Sequence, residues 1–407
     1  MADDSDTVTF RLGTHRTVPP EHTLERVMPH MSAMGITRIA DVTGLDRTGI
    51  PVVMVCRPNS RSVSLSQGKG HTIAAARASG LMESVEGYHA EHMIQPLHIA
   101  SMRDMDNIAR TVAVNRLPRI KGSQFHRDHP ITWVEAEDLL SGLAFWLPYE
   151  MVHTNYTYPR PSGSGCFPAS SNGLASGNTI NEATIHGICE VIERDSIALW
   201  YQLGSAALDK TSINLDTIDS PYCLAIITRL NAAEISTYIW DITSDSRIPS
   251  YMSVIVDQAS STQHVGVGSG THLCKEVALL RALHEAVQVR TTYIVGARDD
   301  IRPEEYTIQG MMAKRKHFEK LISRCTFKTD YSKTLDLHST SITVDVESLL
   351  SHLQAIEIDQ VFRVELTRPE FNIPVVRIVV PGLEAPHDED NYIPGQRALK
   401  VRQSSRQ

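Results

Sequence analysis

The chain has 407 residues, 42% hydrophobic and 21% charged, with a formal net charge of -8 at pH 7. A chain of this size buries a large core in one to three domains, and its apolar share is that of an ordinary globular protein. The acidic balance argues against a general nucleic-acid binder, which carries a basic face.

The six cysteines, at 56, 166, 189, 223, 274 and 325, form no C-x-x-C pair. Neither a zinc knuckle nor a dense disulfide framework is expected, and a reduced cytoplasmic setting fits. The opening MADDSDTVTF is acidic and lacks the basic and apolar regions of a signal peptide. No apolar run approaches the ~20 residues of a membrane-spanning helix, so no membrane partner is expected.

In chain order, FRLGTHRTVPP at 10–20 reads as an irregular basic segment, and a helix is predicted from Pro20 to Met34. Proline suits the first turn because its missing N–H has no helical partner there. Strands are predicted at Pro51–Cys56 and Ser62–Leu65, followed by a flexible glycine turn carrying Lys69 and a helix from Thr72 to His92. Residues 95–165 mix short strand-like runs with loops, and the Gly/Ser/Pro-rich stretch 159–178 reads as loop alone. A second long helix is predicted over Thr179–Leu203, with Asn178 as N-cap and Glu182 in its first turn.

Residues 221–233 read as helix, and 236–243, 251–258 and 264–270 as three strands separated by turns at 244–250 and 259–263. A third long helix follows at Leu273–Tyr293. Residues 303–324 form a charged helical region and 347–356 a shorter helix. FRVEL and PVVRIVV close the regular structure as two strands, with an irregular tail from Pro381. Helices alternating with sheet segments make the fold class mixed α/β.

Three of these helices carry the chemistry. Glu83 and Glu86 stand three residues apart, so both leave one side of the first long helix. Glu190 and Glu193 repeat the spacing on the second, with Arg194 directly after. The third carries Arg281 and Glu285 as an i,i+4 pair, and Gln288 continues that face. One such pair alone is ordinarily a solvated surface. Two pairs on apolar helices, each after a glycine-bearing loop, point instead to a shared site. Buried carboxylates need cations, and divalent metal with phosphate oxygens supplies them.

Other readings are weaker. GKGH does not continue as a P-loop, and GVGSG at 266–270 lacks the dinucleotide spacing. His186, His272 and His284 lack metal-ligand spacing and read as structural. Cys166 has no identifiable base.

The blocks SQGKGHTIAAARASGLMESVEGYHAE, NGLASGNTINEATIHGICEVIERDSIALW and RALHEAVQVR, in that order, resemble the YcaO family of ATP-dependent enzymes that modify backbone amides. PVVRIVVPGLE is similar to the family's C-terminal strand. The resemblance implies a YcaO-type fold over 10–385, with long helices packed on sheet and an internally duplicated appearance. It leaves 1–9 as an acidic extension and 386–407 as a tail. It further implies ATP and Mg2+ as cofactors, with Glu83, Glu86, Glu190 and Glu193 holding the metal ions. Those four and Arg194 would be catalytic. Lys69, Ser79, Asn178, Glu182, Arg194, Arg281, Glu285 and Gln288 would line the nucleotide site. Gly87 stands where an arginine is often found in the family.

Family chemistry implies attack of a nucleophile on a peptide amide carbon, with transfer of the γ-phosphoryl group to the amide oxygen and loss of phosphate. A Cys, Ser or Thr nucleophile gives an azoline, and sulfide gives a thioamide. Cyclodehydratases of the family commonly end in a PxPxP-like segment, whereas this chain ends RALKVRQSSRQ. The favoured expectation is therefore thioamidation of a ribosomally made peptide or a protein. It brings a TfuA-like partner protein and a sulfide source, and the family resemblance by itself implies a homodimer. The alternatives are an azoline-forming cyclodehydratase and a non-catalytic nucleotide-binding scaffold.

Overall fold

The computed structural model describes residues 6–259, 265–324, 328–386 and 392–405. Most of the acidic extension, the turn beyond residue 259, Cys325 and parts of the predicted tail lie outside the described residues. Helix α1 (Pro20–Val27) starts on its proline and stops at Val27 instead of running to Met34. A second proline, Pro29, has no N–H to continue the ladder, and Met28–His30 tightens into a 3₁₀ turn.

Strands β1 (Arg38–Asp41), β2 (Val52–Cys56) and β3 (Leu65–Lys69) form an antiparallel sheet in that order, and α2 (Ile73–Glu91) lies across it. The predicted strand at Ser62–Leu65 is displaced, and Lys69 belongs to no flexible turn. It closes β3, opposite Val52. Gly68 explains the error. A Cβ there would stand 1.9 Å from the Ala76 carbonyl oxygen, so glycine lets α2 lie directly on the strand. The same glycine removes the side-chain alternation from which a strand is read.

Next come β4 (Leu97–Ala100), β5 (Ile131–Asp138), β6 (Ala144–Pro148) and β7 (Leu174–Ser176). The last lies inside the stretch read as loop alone. Its small residues gave no pattern, but its backbone pairs with a later strand and Ala175 is fully buried. Helix α3 (Ile180–Trp200) follows, capped by Thr179 and not by Asn178. Then come α4 (Pro221–Ala232), β8 (Ile235–Asp241), β9 (Ser250–Asp257), β10 (Gly266–Thr271) and α5 (Lys275–Val295).

The segment from β8 to α5 repeats the plan of β1 to α2: a three-stranded antiparallel meander with its following helix laid over it. Gly268 plays the part of Gly68, since a Cβ there would meet the Ala282 carbonyl oxygen at 2.3 Å. The duplicated appearance is real at the level of topology.

Helices α6 (Ile308–Ile322) and α7 (Ile342–Ala355, longer than the predicted 347–356) precede β11 (Phe362–Glu365) and β12 (Val375–Val379). The tail is not irregular throughout, because α8 (Gln396–Ser404) forms there. The largest sheet runs β4-β5-β11-β12-β7, with β6 also on β5, and α3 packs on β7 and β12. Among the described residues no helix is long and apolar enough to cross a membrane.

Candidate functional site

Three strand–turn–helix units build the site: β3 into α2, β7 into α3 and β10 into α5. Two turns end in a threonine cap, with Thr72 Oγ1 accepting from the Ala75 N–H and Thr179 Oγ1 from the Glu182 N–H, each at 3.1 Å. The three helices meet around one cavity of about 630 Å³. Lys69, Ser79, Glu83 and Glu86 line it from the first unit. Asn178, Glu182, Glu190, Glu193 and Arg194 come from the second, and Arg281, Glu285 and Gln288 from the third. All the residues expected to hold metal or nucleotide thus line one cavity. A larger groove of about 1430 Å³ surrounds α8 and contains none of them.

The acidic side is crowded. Burial pushes the Glu86 carboxyl up to about 8, with Glu83 and Glu190 adding to it, although Glu86 Oε1 accepts from the Ser176 N–H at 2.8 Å and its hydroxyl at 2.6 Å. Burial also raises Glu83, to about 7, against the pull of Arg298 and Lys69. Glu83 is exposed and Glu86 is buried, so Glu86 is the more firmly perturbed of the two. Burial raises Glu190 despite Arg194, and Glu193 adds to the repulsion. Glu193 is 3% exposed and accepts one hydrogen bond, from the Ser269 hydroxyl at 2.7 Å. Carboxylates held this close take up protons or a cation, and a divalent cation suits an all-oxygen set.

The basic side faces them. Lys69 Nζ donates to Glu285 Oε2 at 2.9 Å. Burial disfavours charge on Glu285, but Lys69 and Arg194 outweigh it and hold that carboxyl below its usual range. The expected Arg281–Glu285 pair does not form. Among the described residues neither Arg281 nor Arg194 is ion-paired, and both residues line the cavity. Two unpaired arginines beside four acids provide donors for a polyanion bridged by metal, and the residues present fit Mg2+ and a nucleotide triphosphate.

Glu182 and Asn178 are engaged with the protein. Glu182 Oε1 accepts from the Thr17 N–H at 2.6 Å and hydroxyl at 2.7 Å, and its Oε2 accepts from the Asn178 N–H and side-chain amide. Asn178 Oδ1 in turn accepts from Thr23. They tie the segment before α1 to the start of α3. Gln288 reaches Gln67 at 3.4 Å and leaves its Oε1 buried without a partner.

Several cavity residues gave no sequence signal. Arg16, Gln67, Ser176 and Arg298 line it through packing of distant segments, and Ser269 touches the site through its bond to Glu193. Arg57 pairs bidentately with Glu91 at 2.6 and 2.7 Å, and its guanidinium occupies the space that a Cβ at Gly87 would meet at 2.9 Å. His186, His272 and His284 do line the cavity, and burial keeps all three neutral, with His284 down to about 3. Cys166 is buried, and burial pushes its thiol up to about 11, which disfavours a nucleophile.

Residues 67–384 match the family model described as YcaO cyclodehydratase, ATP- and Mg2+-binding. The chain is 33% identical over 406 residues to a protein encoded in the tfuA 3' region of Rhizobium leguminosarum bv. trifolii, covering 95% of this chain and 92% of that one. Its fold is similar to YcaO from Methanopyrus kandleri bound with AMPPCP and Mg2+, with a TM-score of 0.74 and 20% identity over 96% of this chain and 100% of that one. It is also similar to a heterocyclase in complex with substrate and cofactor, with a TM-score of 0.75 and 22% identity over 94% of this chain. The match spans 55% of the heterocyclase's length.

Proposed function

The chain belongs to the YcaO family of ATP- and Mg2+-binding enzymes, and from that premise we propose that it activates a peptide backbone amide and converts it to a thioamide. What supports amide activation is the convergence of Glu83, Glu86, Glu190 and Glu193 with Lys69, Arg194 and Arg281 on one cavity. The four carboxylates would hold Mg2+, and the metal would supply positive charge to the triphosphate. Arg194 and Arg281 face the charge that builds on the transferred phosphoryl oxygens, where fixed positive groups contribute most. Lys69 holds Glu285 on the far wall, and Glu182 with Asn178 fixes the segment that carries Arg16. The exchange balances: the amide oxygen leaves in phosphate, sulfur from hydrosulfide replaces it, and ATP becomes ADP.

The choice of sulfide as nucleophile rests on the relative encoded in a tfuA region. A TfuA-like protein that delivers sulfide to a ribosomally made peptide is the partner this reading names. Azoline formation is the second reading, favoured by the cyclodehydratase family and the heterocyclase of similar fold. Incubating the protein with ATP, Mg2+, sulfide, a TfuA-like partner and genomically adjacent peptides separates them by mass. A product heavier by the difference between sulfur and oxygen supports thioamidation. One lighter by a water supports azoline formation. ATP binding without peptide-dependent ADP release would leave only a scaffold.

A further inference from the structure

Two segments lie side by side next to the nucleotide cavity, the first of them leading away from His272 on its wall. His272-Leu273-Cys274 runs beside Asp336-Leu337-His338, and the Leu337 N–H donates to the Leu273 carbonyl at 2.9 Å. That bond joins the middle residues, so the flanking side chains gather on either side of it. One atom each from Cys274 (Sγ), the Asp336 carboxylate and the His338 ring all lie within 4.8 Å of one another. The ~2.0–2.3 Å bonds that zinc makes to sulfur, oxygen and nitrogen bridge such a triangle after small side-chain rotations.

Each member is placed for the task. Asp336 Oδ1 accepts from the Lys275 N–H at 2.8 Å, which pins the carboxylate beside Cys274. His338 Nδ1 stands 3.7 Å from that oxygen, is buried and has no hydrogen-bond partner among the described residues. A buried ring nitrogen without a partner is costly unless something occupies it. The helix start at Cys274 would by itself repel a cation. One thiolate and one carboxylate cancel a divalent charge, however, so the filled site is neutral overall.

We propose that Cys274, Asp336 and His338 bind a divalent cation of the zinc class, at a site separate from the Mg2+–nucleotide cavity. Thiolate, imidazole and carboxylate are the donor set of a borderline metal, whereas Mg2+ takes oxygen alone. The metal ties the start of α5 to the segment before α7. His15 extends the tie inward: its ring packs on His338 with centroids 5.2 Å apart, its Nε2 meets Asp345 at 2.8 Å, and it lines the nucleotide cavity. α5 carries Arg281 and Glu285, so the tie bears on the basic wall of the cavity.

Metal-stripped full-length protein titrated with Co2+ tests this, with saturating Mg2+ and ATP present to fill the carboxylate cavity. A thiolate-to-cobalt charge-transfer band should saturate at one equivalent and be displaced by Zn2+. Cys274→Ser should abolish the band while Mg2+–ATP binding persists. His338→Ala, at the accessible rim, should weaken Co2+ binding about tenfold or more. Absence of the band in the parent protein, its survival in Cys274→Ser, or unchanged affinity in His338→Ala would overturn the assignment.

Discussion

Lys69 and Glu285 meet at 2.9 Å although 216 positions separate them, and their contact joins the two meander-and-helix units of the chain. Lys69 ends β3 in one unit, and Glu285 sits midway along α5 in the other. Both are about a quarter exposed to the cavity, so the pair is reachable by a ligand and contributes more to the site than to stability. Lys69→Met is expected to weaken ATP binding about tenfold or more, the loss of a charge-assisted contact, while the thermal midpoint changes little. Calorimetric titration with nucleotide and Mg2+ reads this. Unchanged affinity would remove Lys69 from the nucleotide site.

Neutralising one of the paired acids should separate binding from folding. Glu86→Gln keeps the shape of the side chain and removes a charge that burial disfavours. The metal-free protein should therefore be at least as stable as the parent in denaturant, and peptide-dependent ADP release should fall by about a hundredfold or more. Glu190→Gln should behave alike. A variant that kept full turnover would show that its carboxylate holds no metal.

The raised Glu86 carboxyl sets a pH dependence with a definite sign. In the unfolded chain a glutamate titrates near ~4.3, whereas burial moves Glu86 up to about 8. Between those values the folded protein binds more protons, so metal-free stability contributed by this group is lost as pH rises through about 8. The buried histidines act oppositely, through pKa values lowered on folding. That contribution is largely complete above about 7, where an unfolded histidine is already mostly neutral. Melting curves from pH 7 to 8.5 should therefore fall with pH in chelator, and flatten with Mg2+ and ATP. A parallel fall with and without metal would contradict the carboxylate site.

The tail should matter for stability. Arg397 of α8 reaches Asp195 at 2.9 and 3.0 Å and Asp245 at 2.5 Å, and the Asp195 side chain is 1% exposed. Asp195 also accepts from the Glu384 N–H at 2.9 Å. Arg397→Ala leaves a buried carboxylate without its cation, at a cost of about 3 kcal/mol. Chemical denaturation should record a lower midpoint, and Asp195→Asn in the same background should restore part of it. No change in midpoint would mean that α8 is dispensable to the fold.

Much of this site could be read in advance because its spacing is local. Glu83 with Glu86 and Glu190 with Glu193 are each one helical turn apart, and a helix fixes what three residues of separation mean. Lys69 was found but misplaced, because glycine in β3 hides the alternation that marks a strand. β7 was missed for a similar reason, since Leu174–Ser176 becomes a strand only by pairing with β12. Asn178 looked like a cap by composition, yet Thr179 takes that place and Asn178 turns its amide to Glu182 and Thr23. Arg16, Ser176 and Arg298 were unreadable. No local rule brings them to the cavity, and only packing between distant segments does.

The proposed function requires metal and triphosphate to sit among the four glutamates. Crystals grown with Mn2+ and a non-hydrolysable ATP analogue test it through the anomalous signal of manganese. Peaks bounded by carboxylate oxygens of Glu83, Glu86, Glu190 and Glu193, with the analogue's phosphates reaching toward Arg194 and Arg281, are the predicted result. Manganese bound elsewhere, with those four side chains left free of it, would rule out the proposed chemistry.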